Sequence, residues 1–107
     1  MNSSTIMRIV DDELARSEPF TNLHGITPAT VRSFLVEPFV VQVDPDDLET
    51  QPRNMWVVLQ EKPRPNDGYV VVFDPASKTW GVAELRRGND YTLLISAPSL
   101  ARAVNSM

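Results

Sequence analysis

The chain has 107 residues, of which 42% are hydrophobic and 22% charged, and a net charge of −4. That is enough for one hydrophobic core, so a single domain over 1–107 is expected. The absence of cysteine and the single histidine exclude disulfides, thiolate chemistry, cysteine-based zinc sites and any centre that needs two imidazoles.

No apolar run reaches the length of a membrane helix, and the N-terminus lacks the basic and long apolar regions of a secretory leader. The negative balance opposes binding to a phosphate backbone, where affinity comes from basic residues that release counterions. A cytoplasmic protein with no nucleic-acid or membrane partner is the expectation.

In chain order, "TIMRIVDDELARSEP" places Ile6, Ile9, Val10 and Leu14 on one helical face, with Pro19 as the stop. A short strand through Val10 followed by a brief helix is the competing reading. In "GITPATVRSFLVEP" a second helix is predicted, with Thr27 as N-cap and Pro28 at the first helical position. Val31, Phe34 and Leu35 form its apolar face, and Pro38 ends it near Val36.

Strands follow. "FVVQVD", Phe39 to Asp44, is β-branched and short. "NMWVVLQE" directs Met55, Val57 and Leu59 to one face and Trp56 and Val58 to the other. "GYVVV" is apolar on both faces, the mark of a central strand. "DPASKT" reverses the chain, with Pro75 fixing φ and Asp74 able to bond its own backbone. "WGVAELR" returns, Arg87 to Asp90 turns again, and "YTLLIS" is the last strand. A closing helix starts at Pro98, with Leu100, Ala103, Val104 and Met107 on its packing side. Strands joined by short turns form meanders, because parallel neighbours need long crossovers. The expected fold is α+β: a four- to five-stranded antiparallel meander with two N-terminal helices and a C-terminal helix packed on one face.

Chemistry has few footholds. His24 is the one candidate general base, yet no serine stands in a nucleophile-elbow pattern, and a histidine before glycine is more often a hydrogen-bonding loop residue. The run "DPDDLET" gathers Asp44, Asp46, Asp47 and Glu49 but lacks the glycine and distant glutamate of a calcium loop. No phosphate-cradling glycine motif exists, so neither cofactor nor metal is expected. Lys62 and Arg64 lie in a proline-rich connection, and Arg86 and Arg87 are a pair without neighbouring aromatics. Trp56 reads as core. Trp80, beside a turn, reads as core or as a contact residue, since tryptophan is enriched at binding hot spots.

Charge is unevenly spread. Residues 1–50 hold nine acids against three arginines, and residues 51–107 five acids against seven bases. A solvated surface is the ordinary explanation; the sharper one is a negative face that meets a basic partner.

The stretch "GYVVVFDPASKTWGVAEL", continued through "YTLLISAPSLARAVNSM", resembles the C-terminal halves of small bacterial immunity proteins, the partners of polymorphic toxins that include those of contact-dependent growth inhibition. The shared pattern is an aromatic and β-branched strand, a "DP-x-[ST]-x-x-[WF]-G-[VL]-A" turn and a closing helix, over residues 68–107. The resemblance implies a non-catalytic inhibitor that binds a toxin domain, often a nuclease with a basic cleft. Asp44, Asp46, Asp47, Glu49 and Trp80 are the candidate partner-binding residues on charge and position. Two other readings stand beside it: a small enzyme using His24 with a nearby carboxylate or hydroxyl, and a secretion chaperone or adaptor with an exposed apolar groove.

Overall fold

Asn2 opens the first helix by capping it: its side-chain oxygen accepts the Thr5 backbone N–H at 3.0 Å and the Thr5 hydroxyl at 3.1 Å. That helix, α1 (Ser3–Arg16), ends with the Arg16 side chain donating to the Asp12 carbonyl at 3.2 Å. The computed structural model describes residues 2–16, 25–44, 51–61, 68–87 and 90–107, without the side chains of Arg86, Arg87 and Asp90. The strands are β1 (Leu35–Asp44), β2 (Arg53–Gln60), β3 (Tyr69–Asp74), β4 (Thr79–Arg87) and β5 (Asp90–Ala97), and the chain closes with α2 (Leu100–Asn105).

The α+β class, the five strands and the meander order agree with the sequence reading. The sheet goes further and closes into a barrel in the order β1-β2-β3-β4-β5. Each sequential pair is antiparallel. An odd number of alternating strands leaves the first and last running the same way, so the closing β1–β5 pair has to be parallel, and it is.

The second N-terminal helix is not formed. Residues 28–30 make a turn, Val31–Ser33 one 3-10 turn, and β1 already starts at Leu35. Local hydroxyls account for this. The Thr27 N–H donates to the Thr30 hydroxyl at 2.9 Å, that hydroxyl donates to the Gly25 carbonyl at 2.8 Å, and Ser33 Oγ donates to the Thr30 carbonyl at 2.6 Å. Such side-chain bonds hold the backbone in turns that compete with helix. Leu35 then pairs with Leu59 across the sheet, and Pro38, which has no N–H to give a ladder, sits in the irregularity between Leu35 and Phe39.

The expected strand faces also need one correction. Val57 pairs with Val72 and Leu59 with Val71, so Val58 is an extra, bulged residue. Met55 and Val57 therefore stay inside the barrel, whereas Leu59 turns to the outer side together with Val58. β3 is central as expected: Val70 and Val72 face the interior, and Val71 and Phe73 face outward.

Two apolar layers result. Inside the barrel are Val43, Val57, Val72, Tyr91 and Leu93. Outside, Ile6 and Val10 of α1 and Leu100, Ala103 and Val104 of α2 cover Val71, Phe73, Trp80 and Val82. Both helices thus pack on one outer face. Gly81 permits the closeness of β4 and β5, since a Cβ there would stand 2.8 Å from the Ile95 carbonyl oxygen.

The closing helix begins at Leu100 rather than Pro98, because Ser99, in extended conformation, is its N-cap and accepts the Arg102 N–H at 3.2 Å. The free Leu100 N–H is met from across the fold: Glu13 of α1 accepts it at 3.2 Å. A six-residue helix does not hold itself together in water, so this clamp and the buried leucine and valine are what keep α2 in place.

Candidate partner-binding surface

Strand direction decides which residues share an end of the barrel. β1 and β3 finish at Asp44 and Asp74, β2 and β4 begin at Arg53 and Thr79, and β5 finishes at Ala97. Pairing ties these ends together: Val43 with Arg53, Asp74 with Thr79, and Trp80 with Ala97. Asp44 and Trp80, far apart in sequence, therefore stand at the same end. Asp46, Asp47 and Glu49 lie outside the described residues, as do His24, Lys62 and Arg64.

A buried carboxylate braces this end. Asp74, 2% exposed, takes an ion pair from Arg53 at 3.0 Å, the Ala76 N–H at 3.0 Å and the Ser77 hydroxyl at 3.0 Å. Each acceptor lone pair engaged this way lowers the cost of burying the charge. Ser77 and Thr79 hydroxyls bond each other at 2.6 Å, and Lys78 holds the left-handed backbone, φ 56°, that closes a four-residue hairpin connection. The turn expected from "DPASK" is thus formed by the residues that predicted it.

Trp80 itself is 3% exposed. Its ring meets Phe73 at 4.5 Å between centroids, tilted by 47°, under α1 and α2. Burial of this kind stabilises by roughly 1.5–3 kcal/mol per large side chain. What Trp80 can offer a partner is limited to the edge that lines a cleft of about 370 Å³ between α1 and the β3–β4 turn.

The surface that sequence reading missed is on β1. Phe39 pairs with Val57, an interior residue, and Val40 pairs with Trp56, which packs outside. The two neighbours therefore point to opposite faces, and both are open: Phe39 is 37% and Val40 49% exposed. The reason is the shortness of the seam. Among the described residues β1 and β5 pair at Val43–Tyr91 and Asp44–Thr92, a register that sets Gln42 level with Asp90, the first residue of β5. Leu35 to Val41 run past the start of β5 and have no strand on that flank among the described residues. In sequence the run "EPFVVQVD" looks like an ordinary core strand, so periodicity gives no sign of this exposure.

The strip has charged ends. Glu37 is exposed ahead of Phe39, and Asp44, half-buried, ends the strand and opens the acidic run. A shallow groove of about 700 Å³ between α1 and the start of β1 adjoins it, crossed by an Arg32–Asp11 ion pair at 3.1 Å. Among the described residues, no three acidic or histidine side chains gather in a metal-binding group. No described helix is long and apolar enough to cross a membrane.

Comparison with protein-family models, curated proteins and solved structures returned no match.

Proposed function

We propose that the protein works by binding another protein, and that it is an immunity protein: a stoichiometric inhibitor of a bacterial toxin domain with a basic surface. One observation carries the reading. β1 joins an uncovered apolar pair, Phe39 and Val40, to a carboxylate run that begins at Asp44. A partner that lies along the open flank of β1 meets one of these side chains on each face, and apolar contact bordered by charge that steers and orients is how protein interfaces are built. The acids of residues 1–50 add a field that attracts a basic domain. The hairpin and closing helix that resemble immunity proteins then serve as scaffold, with Trp80 inside it.

Turnover has no part in this role; a tight complex has. The test is capture of the tagged protein from its native host at low salt, followed by expression of the captured partner's domain alone. The expected result is growth arrest by that domain, relieved by the wild-type protein and not by the Phe39→Ser, Val40→Ser double variant. Relief by the double variant equal to wild type, or a partner domain without toxicity, contradicts the proposal.

A further inference from the structure

The cleft beside Trp80 has a composition that the partner-binding reading does not use. Its apolar body comes from Ile9, Pro75 and Pro98, with the Phe73–Trp80 pair closing the floor. Three charged side chains border it: Glu13 and Arg16 from α1 and Lys78 from the hairpin turn. At about 370 Å³ it falls in the range of small-molecule sites, which join apolar walls to a few convergent polar groups.

The charges do not balance one another. Glu13 is committed to α2, accepting the Leu100 N–H at 3.2 Å, and its other oxygen lies 3.9 Å from Arg16. Lys78 has no hydrogen-bond or ion-pair partner among the described residues, and its left-handed backbone holds it at the turn that forms one wall. Among the described residues that line it, two cations against one anion leave the cleft one positive charge in excess. A single carboxylate neutralises it, and a guanidinium suits that group because its planar donors match the carboxylate oxygens. A dianion such as a phosphate monoester overshoots the balance and gains nothing from the apolar walls.

We propose that this cleft is a binding site for a small aromatic monocarboxylate, its ring against the prolines and the Phe73–Trp80 floor and its carboxylate between Arg16 and Lys78. The site is separate from the exposed strip on β1, so either can fail without the other.

Phenylacetate is a suitable probe, with phenylacetamide as its neutral counterpart and 2-phenylethylamine as its cationic one. Binding is followed by the indole N–H resonance of Trp80, distinguished from that of Trp56 in a Trp56→Phe variant. Phenylacetate is expected to shift the Trp80 signal and to bind about tenfold more tightly than the amide, with the amine not binding, as a charge-assisted contact requires. Arg16→Gln with Lys78→Asn, at two exposed positions, is expected to remove this preference and leave the unliganded spectrum otherwise unchanged; asparagine tolerates the left-handed backbone. Equal affinity for acid and amide, no movement of the Trp80 signal at saturating phenylacetate, or undiminished binding by the double variant overturns the proposal.

Discussion

Asp74 shows how a single side chain can be read from sequence in kind but not in weight. "DP" announced a turn in which the aspartate bonds its own backbone, and it does so through the Ala76 N–H. Nothing local announced Arg53, which is 21 positions earlier and arrives through the pairing of β2 with β3. Because Asp74 is buried and Arg53 almost half exposed, the two halves of the pair are unequal. Asp74→Ala leaves a half-exposed guanidinium and two donors on exposed residues, all of which water can reach. Arg53→Ala, by contrast, strands a buried carboxylate without its cation and is expected to cost about 3 kcal/mol, more than Asp74→Ala. Denaturant unfolding of both variants checks the order.

Tyr91 gives the fold a pH signature. Burial inside the barrel pushes its hydroxyl above the ordinary tyrosine value. In the unfolded chain that hydroxyl ionises near pH 10, while in the fold it keeps its proton to higher pH. Its contribution is therefore intact below the unfolded value and is lost as pH rises through the folded one. Stability measured from pH 8 to 11 should fall more steeply in the wild type than in Tyr91→Phe. Parallel profiles would place the alkaline loss elsewhere.

At the scale of elements, periodicity served well where one apolar stripe or one strand type ran unbroken. α1 with Ile6 and Val10 buried, the central β3, and the hairpin around "DPASK" are where composition put them. It failed where tertiary pairing or side-chain hydroxyls overrode the pattern. Val31, Phe34 and Leu35 have helical spacing, but Thr27, Thr30 and Ser33 hold turns, and Leu35 is taken into the sheet by Leu59. The bulge at Val58 is equally silent in sequence, since one valine more or less in "WVVL" leaves the composition unchanged.

The clamp between the helices is of the same type. Glu13 and Leu100 are 87 positions apart, and only the assembled outer layer brings the carboxylate to the N–H it accepts. Removing it should loosen α2 more than α1, because α2 is too short to persist alone. Glu13→Ala is expected to cost about 1 kcal/mol, the usual value of a lost helix cap, and to speed amide exchange through Ala101–Asn105 with little change in α1. Unchanged exchange in α2 would mean that its buried side chains suffice.

For the whole molecule, the meander was legible and its closure was not. Turn lengths reveal which strands are neighbours in sequence, whereas a barrel depends on the first and last strands meeting, and among the described residues they meet at two residue pairs. That short seam is what leaves Phe39 and Val40 in water. Of the acids expected to form the site, Asp44 ends β1 and Asp46, Asp47 and Glu49 lie outside the described residues, while the exposure on β1 was illegible in sequence. The expected contact residue Trp80 is buried, whereas Phe39 and Val40, exposed like Ile95 on β5, sit in a stretch that reads as core. If the acidic run steers a basic partner, Asp44→Asn, Asp46→Asn and Asp47→Asn together should slow association about tenfold at low salt, with the difference shrinking as salt rises. An unchanged on-rate at low salt would remove the acids from the interface.

The most direct test of the central claim, that β1 is where a protein partner sits, is site-specific photocrosslinking in the native host. A photoreactive phenylalanine analogue is placed at Val40 and, in a separate variant, at Arg102 on the exposed side of α2. A single discrete adduct from position 40 and none from position 102 is the predicted result. No adduct at position 40, or the same adduct from both positions, would contradict it.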